Sequence, residues 1–282
     1  DQPIPGRMCI DLMVTFSKLW ELKNGKMPGY RLDDAAQIAL QDSKVQLENG
    51  HDTYFSDFGT YLDYARKDTA LLPRLNEKVN ALEYFLAIQH IVQCDIKSTP
   101  FVTQIFSCLA LTDSDFQRRM PSKPQFSKVE YQGADVMEVT PGIYDEVGIV
   151  DIKAMYHSNV GKYGISWDTL AVDGEDCGNG VCFDRTKPGL LVRQMDAMTT
   201  LRNHFKGLMK SDPEHFDKWD TMQYACKSLV ASMYGVAGDA KFGLYHPEVA
   251  AAITYTSRNT LDELKSHCQD AGHEVIYGHT DS

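Results

Sequence analysis

Residues 189–234 constrain the fold more than any other stretch. The segment GLLVRQMDAMTTLRNHFKGLM places Leu191, Met195, Met198, Leu201, Phe205 and Leu208 at three- and four-residue steps. That is the period of an amphipathic helix, here over about 189–209. A second stripe, Met222, Cys226, Leu229/Val230 and Met233, predicts another helix over about 218–234. Lys210-Ser211-Asp212 falls between them as a hairpin tip, Ser211 and Glu214 have the spacing of a capping box, and Pro213 stands early in the next segment. The chain must therefore accommodate a long helical hairpin.

The rest of the chain is mixed. A length of 282 residues suits one large domain or two smaller ones, and 43% apolar residues is ordinary for a globular protein. GRMCIDLMVTF reads as a strand-like apolar run. YRLDDAAQIAL reads as a short helix with Leu32, Ala36 and Ile38/Ala39 on one side. DFGTYLDYARKDTALLPRL carries Phe58, Leu62, Ala65, Thr69 and Leu72 at helical spacing; Pro73 is expected to interrupt it before a second helical run, LNEKVNALEYFLAIQHIVQ. From about 112 to 145, prolines and glycines punctuate short β-like segments such as FSKVEYQG and ADVMEV. EVGIVDI then reads as an apolar strand ending in Asp151, residues 171–187 as a loop, 247–270 as a helix, and HEVIYGHTDS as a last strand.

Several classes are disfavoured by composition. No stretch approaches the roughly 18 apolar residues that cross a bilayer, so no membrane partner is expected. The chain opens DQPIPGRM, without a leader pattern or an initiator Met, and stops abruptly after Ser282; a fragment of a longer intracellular protein is expected. Seven irregularly spaced cysteines suggest a reducing compartment, and Cys177 and Cys182 in DCGNGVC read as a glycine-rich turn rather than a zinc site. The net charge of −11 disfavours nucleic acid at first sight, but sites that hold divalent cations are themselves acidic, and local charge outweighs the sum.

Four constellations carry chemistry, each weak alone. VDIKAMYHSNV puts Asp151 at a strand end, a place for a metal ligand and equally for a turn or cap. In KSLVASMYG, Lys227, Ala231 and Tyr234 fall on one helical face; the lysine suits a phosphate and the tyrosine a base, against the plainer reading of a solvated face. Arg202 and Lys206, with Lys210 a turn later, line one face of the preceding helix and suit an anion, or a solvated basic face. In YGHTDS, His279 and Asp281 point to the same side of a strand.

Taken in order, these segments resemble motifs A, B and C of a B-family DNA polymerase: DIKAMYHS beside DFxSLYPS, KSLVASMYG beside KxxxNSxYG, and YGHTDS beside YGDTDS. GLLVRQMDAMTTLRNHFKGLM is similar to the family's first finger helix, YQGADVMEVTPGIYDEVGIVDI to its lead-in to motif A, and YARKD to the YxxxD motif of its 3′–5′ exonuclease. The resemblance implies an α/β (α+β) fold. Residues 1–85 would be the end of an RNase H-like exonuclease domain, 86–186 linker helices and the N-terminal palm, 187–240 two-helix fingers, and 241–282 further palm, truncated at both ends and without the thumb.

The same resemblance implies a set of site residues. Asp151, the Ile152 carbonyl and Asp281 would hold two Mg²⁺ ions, with Mn²⁺ as the alternative. Ala154, Met155, Tyr156, Arg202, Lys206, Lys227, Ala231 and Tyr234 would bind the nucleotide, Lys227 acting also in catalysis and Tyr156 lying under the sugar. Tyr64 and Asp68 would be part of a proofreading site whose other carboxylates, a DxE on an early strand and a second-motif aspartate, are expected before residue 1. The short motif A to motif B distance points to extension of an ordinary primer. Primer-template DNA and dNTPs are the partners the resemblance implies, with a processivity factor as a further candidate. The compartment would be cytoplasmic in a prokaryote or phage and nuclear in a eukaryote or its virus.

Three departures set this sequence apart. Ala231 stands for the motif B asparagine; His157 stands for the motif A proline, so a looser turn after Tyr156 is expected; and His279 stands for the first motif C aspartate. A tolerated change in a viral or phage-like lineage, a weakened polymerase kept as a DNA-binding protein, and an altered metal preference are the competing accounts of His279. A standalone nuclease is disfavoured, because only one of its motifs is present.

Overall fold

The computed structural model describes residues 9–121 and 126–280. These fall into two compact units, divided between Pro100 and Phe101.

The first unit is helical. α1 (Leu12–Asn24) begins where the Asp11 carboxylate accepts from the Met13 N–H at 2.9 Å, and buries Thr15, Phe16 and Leu19. The apolar run GRMCIDLMVTF thus ends in a helix rather than a strand; its capping aspartate and its i, i+3, i+4 spacing decide between two readings that hydrophobicity leaves open. α2 (Leu32–Leu40) buries Ala35, Ala36 and Ala39 and leaves Ile38 46% exposed. After the short α3 (Thr53–Ser56), α4 (Phe58–Val79) runs through Pro73 without a break. The missing N–H costs helix stability, and burial of Leu71, Leu75 and Val79 on the inner face offsets it. The buried stripe therefore lies in the C-terminal half of α4, whereas Phe58 and Leu72 are exposed. Asn80, at φ 55°, ends α4 and lets α5 (Ala81–Val92) fold back onto α1. The unit runs on to Pro100.

The second unit begins with α6 (Val102–Thr112) and centres on α7 (Met155–Tyr163), α8 (Leu190–Ser211), α9 (Phe216–Ala237) and α10 (Pro247–Asp270). α8 and α9 form the expected hairpin, with Leu191, Met195, Met198 and Phe205 facing Met222, Cys226, Leu229 and Met233 in the buried interior. Its tip is not a capping box. Ser211 finishes α8, and the Asp212 carboxylate instead receives His215 Nδ1 at 3.0 Å and Trp219 Nε1 at 3.0 Å.

Sheet is scarce among the described residues. Residues 171–187, expected as loop, contain an antiparallel hairpin of β1 (Leu170–Asp176) and β2 (Cys182–Phe183), whose DCGNGVC turn is held by the Asp176 carboxylate accepting from Gly178 and Gly180 N–H. The final segment does return to ADVMEV: Met137 N–H donates to Gly278 O at 2.9 Å and Thr280 N–H to Asp135 O at 3.1 Å around a Val136–His279 bridge. This is one bridge rather than a full strand. EVGIVDI forms no strand among the described residues; the edge offered by 276–280 is taken by 135–140, and Ile149 is 92% exposed. FSKVEYQG likewise forms no strand among the described residues. The fold is helix-rich α+β. No described helix is long and apolar enough to cross a membrane.

Candidate active site

The centre of the second unit is the first turn of α7. Ala154 enters it in the left-handed region (φ 52°, ψ 48°), with Asp151 exposed and Ile152 half-buried just before. Met155 turns inward. Further along α7, buried Asn159 donates to Ser257 Oγ at 3.2 Å and accepts from Thr260 Oγ1, which fixes the helix to α10. Tyr156 stacks on Tyr234 of α9, ring centroids 4.9 Å apart and planes 5° apart.

Of the expected cations, Arg202 is held by a contact across the hairpin. Its root is rigid: the Asp168 carboxylate accepts from Leu190 N–H at 2.8 Å and Ser166 Oγ from Leu191 N–H at 3.0 Å, capping α8. Gly189 is required there, since a side chain would collide with Ser166. Arg193 adds a brace, 2.7 Å from Asp113 and 3.6 Å from Asp168. Burial pushes the Asp113 carboxyl up, but the Arg193 and Gln194 hydrogen bonds outweigh it and leave its pKa below the usual range. Three turns beyond the root, Arg202 Nε donates to Gln223 Oε1 at 3.3 Å, and Gln223 donates in turn to Asp220 at 2.9 Å. Gln223 lies one turn before Lys227 on α9, so Arg202 and Lys227 approach the same part of the hairpin. Lys227, Ala231 and Tyr234 share a face; Lys206, Lys227 and Ala231 are exposed. Burial pushes the Cys226 thiol up to about 11, against the pull of Arg202, so it stays protonated at neutral pH.

His157 meets a partner that its sequence context did not announce. It sits inside α7, its Nε2 2.8 Å from Asp196 Oδ1 on α8. His279 and Thr280 reach the 135–140 segment through the Val136–His279 bridge and its flanking backbone bonds. Asp281 lies outside the described residues. Among the described residues no three His, Cys, Asp or Glu side chains cluster as a metal site. Asp151, exposed and followed by the Ile152 carbonyl, offers hard oxygens of the kind Mg²⁺ takes while keeping waters.

Two arrangements were not visible in the sequence. In the first unit Lys44 joins Tyr64 and Asp68, with Nζ 2.7 Å from Asp68 Oδ2 and 3.2 Å from Tyr64 Oη. Burial lowers the Lys44 pKa, but its two partners raise it further, so the net shift is upward. The other Asp68 oxygen, Oδ1, is buried with no hydrogen-bond partner, as suits a carboxylate that receives a cation. Asp33 and His51 line the same cleft. The lysine lies 20 residues before Tyr64, so no local spacing marks it. In the second unit Thr254 and Arg258, i and i+4 on α10, donate to the carbonyls of Gln132 and Gly133 and hold the segment that faces 276–280. Their helical spacing was the available signal.

Comparisons with known proteins identify the family. A family model described as DNA polymerase family B matches residues 102–282. A DNA polymerase of Paramecium bursaria Chlorella virus NY2A is 25% identical across 99% of this chain and 34% of its own length. DNA polymerase 1 of Sulfurisphaera ohwakuensis is 27% identical across 92% of this chain and 33% of its own. The family B DNA polymerase structure from Pyrobaculum calidifontis superposes with a TM-score of 0.67 at 23% identity, covering 90% of this chain and 36% of that one. The chain thus spans about a third of the length of these relatives. With the family model covering well over half of its residues, including the α7 turn and the whole α8–α9 hairpin, the chain belongs to DNA polymerase family B.

Proposed function

We propose that this chain carries the nucleotide-binding centre of a DNA-directed DNA polymerase, which adds dNTPs to a primer 3′-hydroxyl under the direction of a template. The observation that carries the reading is the Tyr156–Tyr234 stack, which sets the residue five after Asp151 against the α9 face bearing Lys227, with Arg202 across the hairpin. Residues 187–240 act as fingers, and 86–186 with 241–282 as palm. Asp151 and the Ile152 carbonyl, with Asp281, would hold two Mg²⁺ ions. When bound, such ions activate the primer hydroxyl and stabilise the leaving pyrophosphate. Arg202, Lys206 and Lys227 neutralise the triphosphate by charge, Arg202 being preset by Gln223. Tyr156, pinned under Tyr234, bounds the space beneath the sugar and disfavours a 2′-hydroxyl, while Tyr234 borders the new base pair.

The first unit belongs, on this reading, to the 3′–5′ exonuclease. Asp68 would supply one ligand to a metal there, and Tyr64 would orient the attacking water; Lys44, bonded to both, holds the pair in register.

Primer extension with Mg²⁺ and then Mn²⁺ tests the proposal. Asp151→Ala is expected to remove extension, by roughly a hundredfold or more; extension that survives it would sink the two-metal assignment. A second reading, a polymerase-like module that binds primer-template DNA with little catalysis, is favoured by one observation: an imidazole at position 279, a poor partner for Mg²⁺. His279→Asp separates the two. Equal or higher Mg²⁺-dependent extension is expected, and a fall would count against His279 as a compromise.

A further inference from the structure

The first turn of α7 touches both helices of the hairpin through two adjacent residues. Tyr156 stacks on Tyr234 of α9. His157 faces α8, with Nε2 2.8 Å from Asp196 Oδ1 and Nδ1 3.5 Å from Thr199 Oγ1. Asp196 and Thr199 are three residues apart and share a helical face. A single neutral tautomer serves both: Nε2–H donates to the carboxylate, and Nδ1 accepts from the threonine hydroxyl. The imidazole is 18% exposed, so protein shields the bond from solvent on one side.

The chain just before α7 does little to fix this turn. Its N-cap, Ala154, makes no side-chain cap hydrogen bond, and Ile149 and Val150 just upstream are 92% and 68% exposed. The direction of the turn therefore rests on what buried Met155, then Tyr156, His157 and Asn159, touch. His157 and Tyr156 are adjacent, so the contact with α8 and the contact with α9 share one turn of backbone.

We infer that His157, Asp196 and Thr199 form a latch that ties α8 to the first turn of α7 and sets how Tyr156 lies against Tyr234, so that His157 is a positioning residue for discrimination between deoxy- and ribonucleotides. This rests on the proposed placement of Tyr156 beneath the nucleotide sugar. The latch transmits the state of the fingers helix to that gate without touching substrate.

The test uses the natural full-length protein. Single-nucleotide insertion is measured with dNTP and rNTP for Asp196→Ala, His157→Ala, His157→Gln and the His157→Ala/Asp196→Ala double variant. Amide hydrogen exchange over 155–163 and 190–211 is followed in parallel. Asp196 is 64% exposed, so its truncation leaves the fold intact. Asp196→Ala is expected to raise KM for dNTP roughly three- to tenfold and to narrow the dNTP-over-rNTP preference by a similar factor, with kcat within about twofold. The double variant is expected to be no worse than His157→Ala alone, and His157→Gln, which keeps a donor, to recover part of the preference. Faster exchange at the start of α7 is expected in Asp196→Ala. Unchanged exchange in that variant overturns the latch. Faster exchange with an unchanged nucleotide preference overturns its role at the gate, as does multiplication of the two single effects. Should the unaltered protein fail to extend a primer, the proposed function falls, and exchange alone then upholds or overturns the latch.

Discussion

The α8–α9 hairpin and the stretch 141–152 are both rich in apolar residues, yet they treat them oppositely. Met195 and Met233 are 1% and 0% exposed, whereas Ile143 and Ile149 are 99% and 92% exposed. The difference is one of hydrogen bonding. A helix satisfies its own backbone within each turn, so an amphipathic pair needs only each other to bury a face. An extended segment must borrow its backbone partners from another strand, and its apolar side chains stay in water until one is supplied.

This contrast can be broken at several points. Truncation inside the hairpin should have the largest effect: Met233→Ala is expected to cost about 2–5 kcal/mol in denaturant unfolding of the 282-residue chain. A loss below about 1 kcal/mol would show that the hairpin interior is not tightly packed. The root of the hairpin should respond to acid. The folded-state pKa of Asp113 is depressed, so its contribution is present above the unfolded value of about 4 and is lost as pH falls through the lower folded value. Asp113→Asn should therefore destabilise at neutral pH and flatten the decline in stability below about pH 4, read from thermal midpoints across pH. A decline as steep as in the unaltered chain would remove Asp113 from the hairpin's support. The smallest effect is expected at Ile149→Ser, within about 0.5 kcal/mol in the same chain. A larger cost there would mean that this segment is packed after all, and its contrast with the hairpin would disappear.

The candidate site was legible in proportion to how local its geometry is. Lys227, Ala231 and Tyr234 fall on one face because helical spacing alone puts them there, and Arg202 and Lys206 likewise. The partners across space were not legible. Lys44 is brought to Tyr64 and Asp68 by the fold of the first unit, and Gln223 meets Arg202 only because the hairpin closes. His157 is the sharpest case: no local spacing announces Asp196, 39 residues away, whose carboxylate lies 2.8 Å from its Nε2. Local context also misled at Pro73, where burial along one face carries α4 past a residue that would end an isolated helix, and at GRMCIDLMVTF, where Asp11 starts a helix in a run that hydrophobicity alone cannot assign.

By itself the sequence determined the helical hairpin, α2, α10, the order of the motifs and thereby the family, because these depend on periodicity and on residue identity at short spacing. Tertiary structure decided which strands find a partner, where the buried stripe of α4 lies, and that Tyr156 meets Tyr234 while His157 meets Asp196. Those outcomes depend on which distant groups arrive at the same place. That is set by burial and by completing hydrogen bonds across the whole unit, and no short window of sequence contains it.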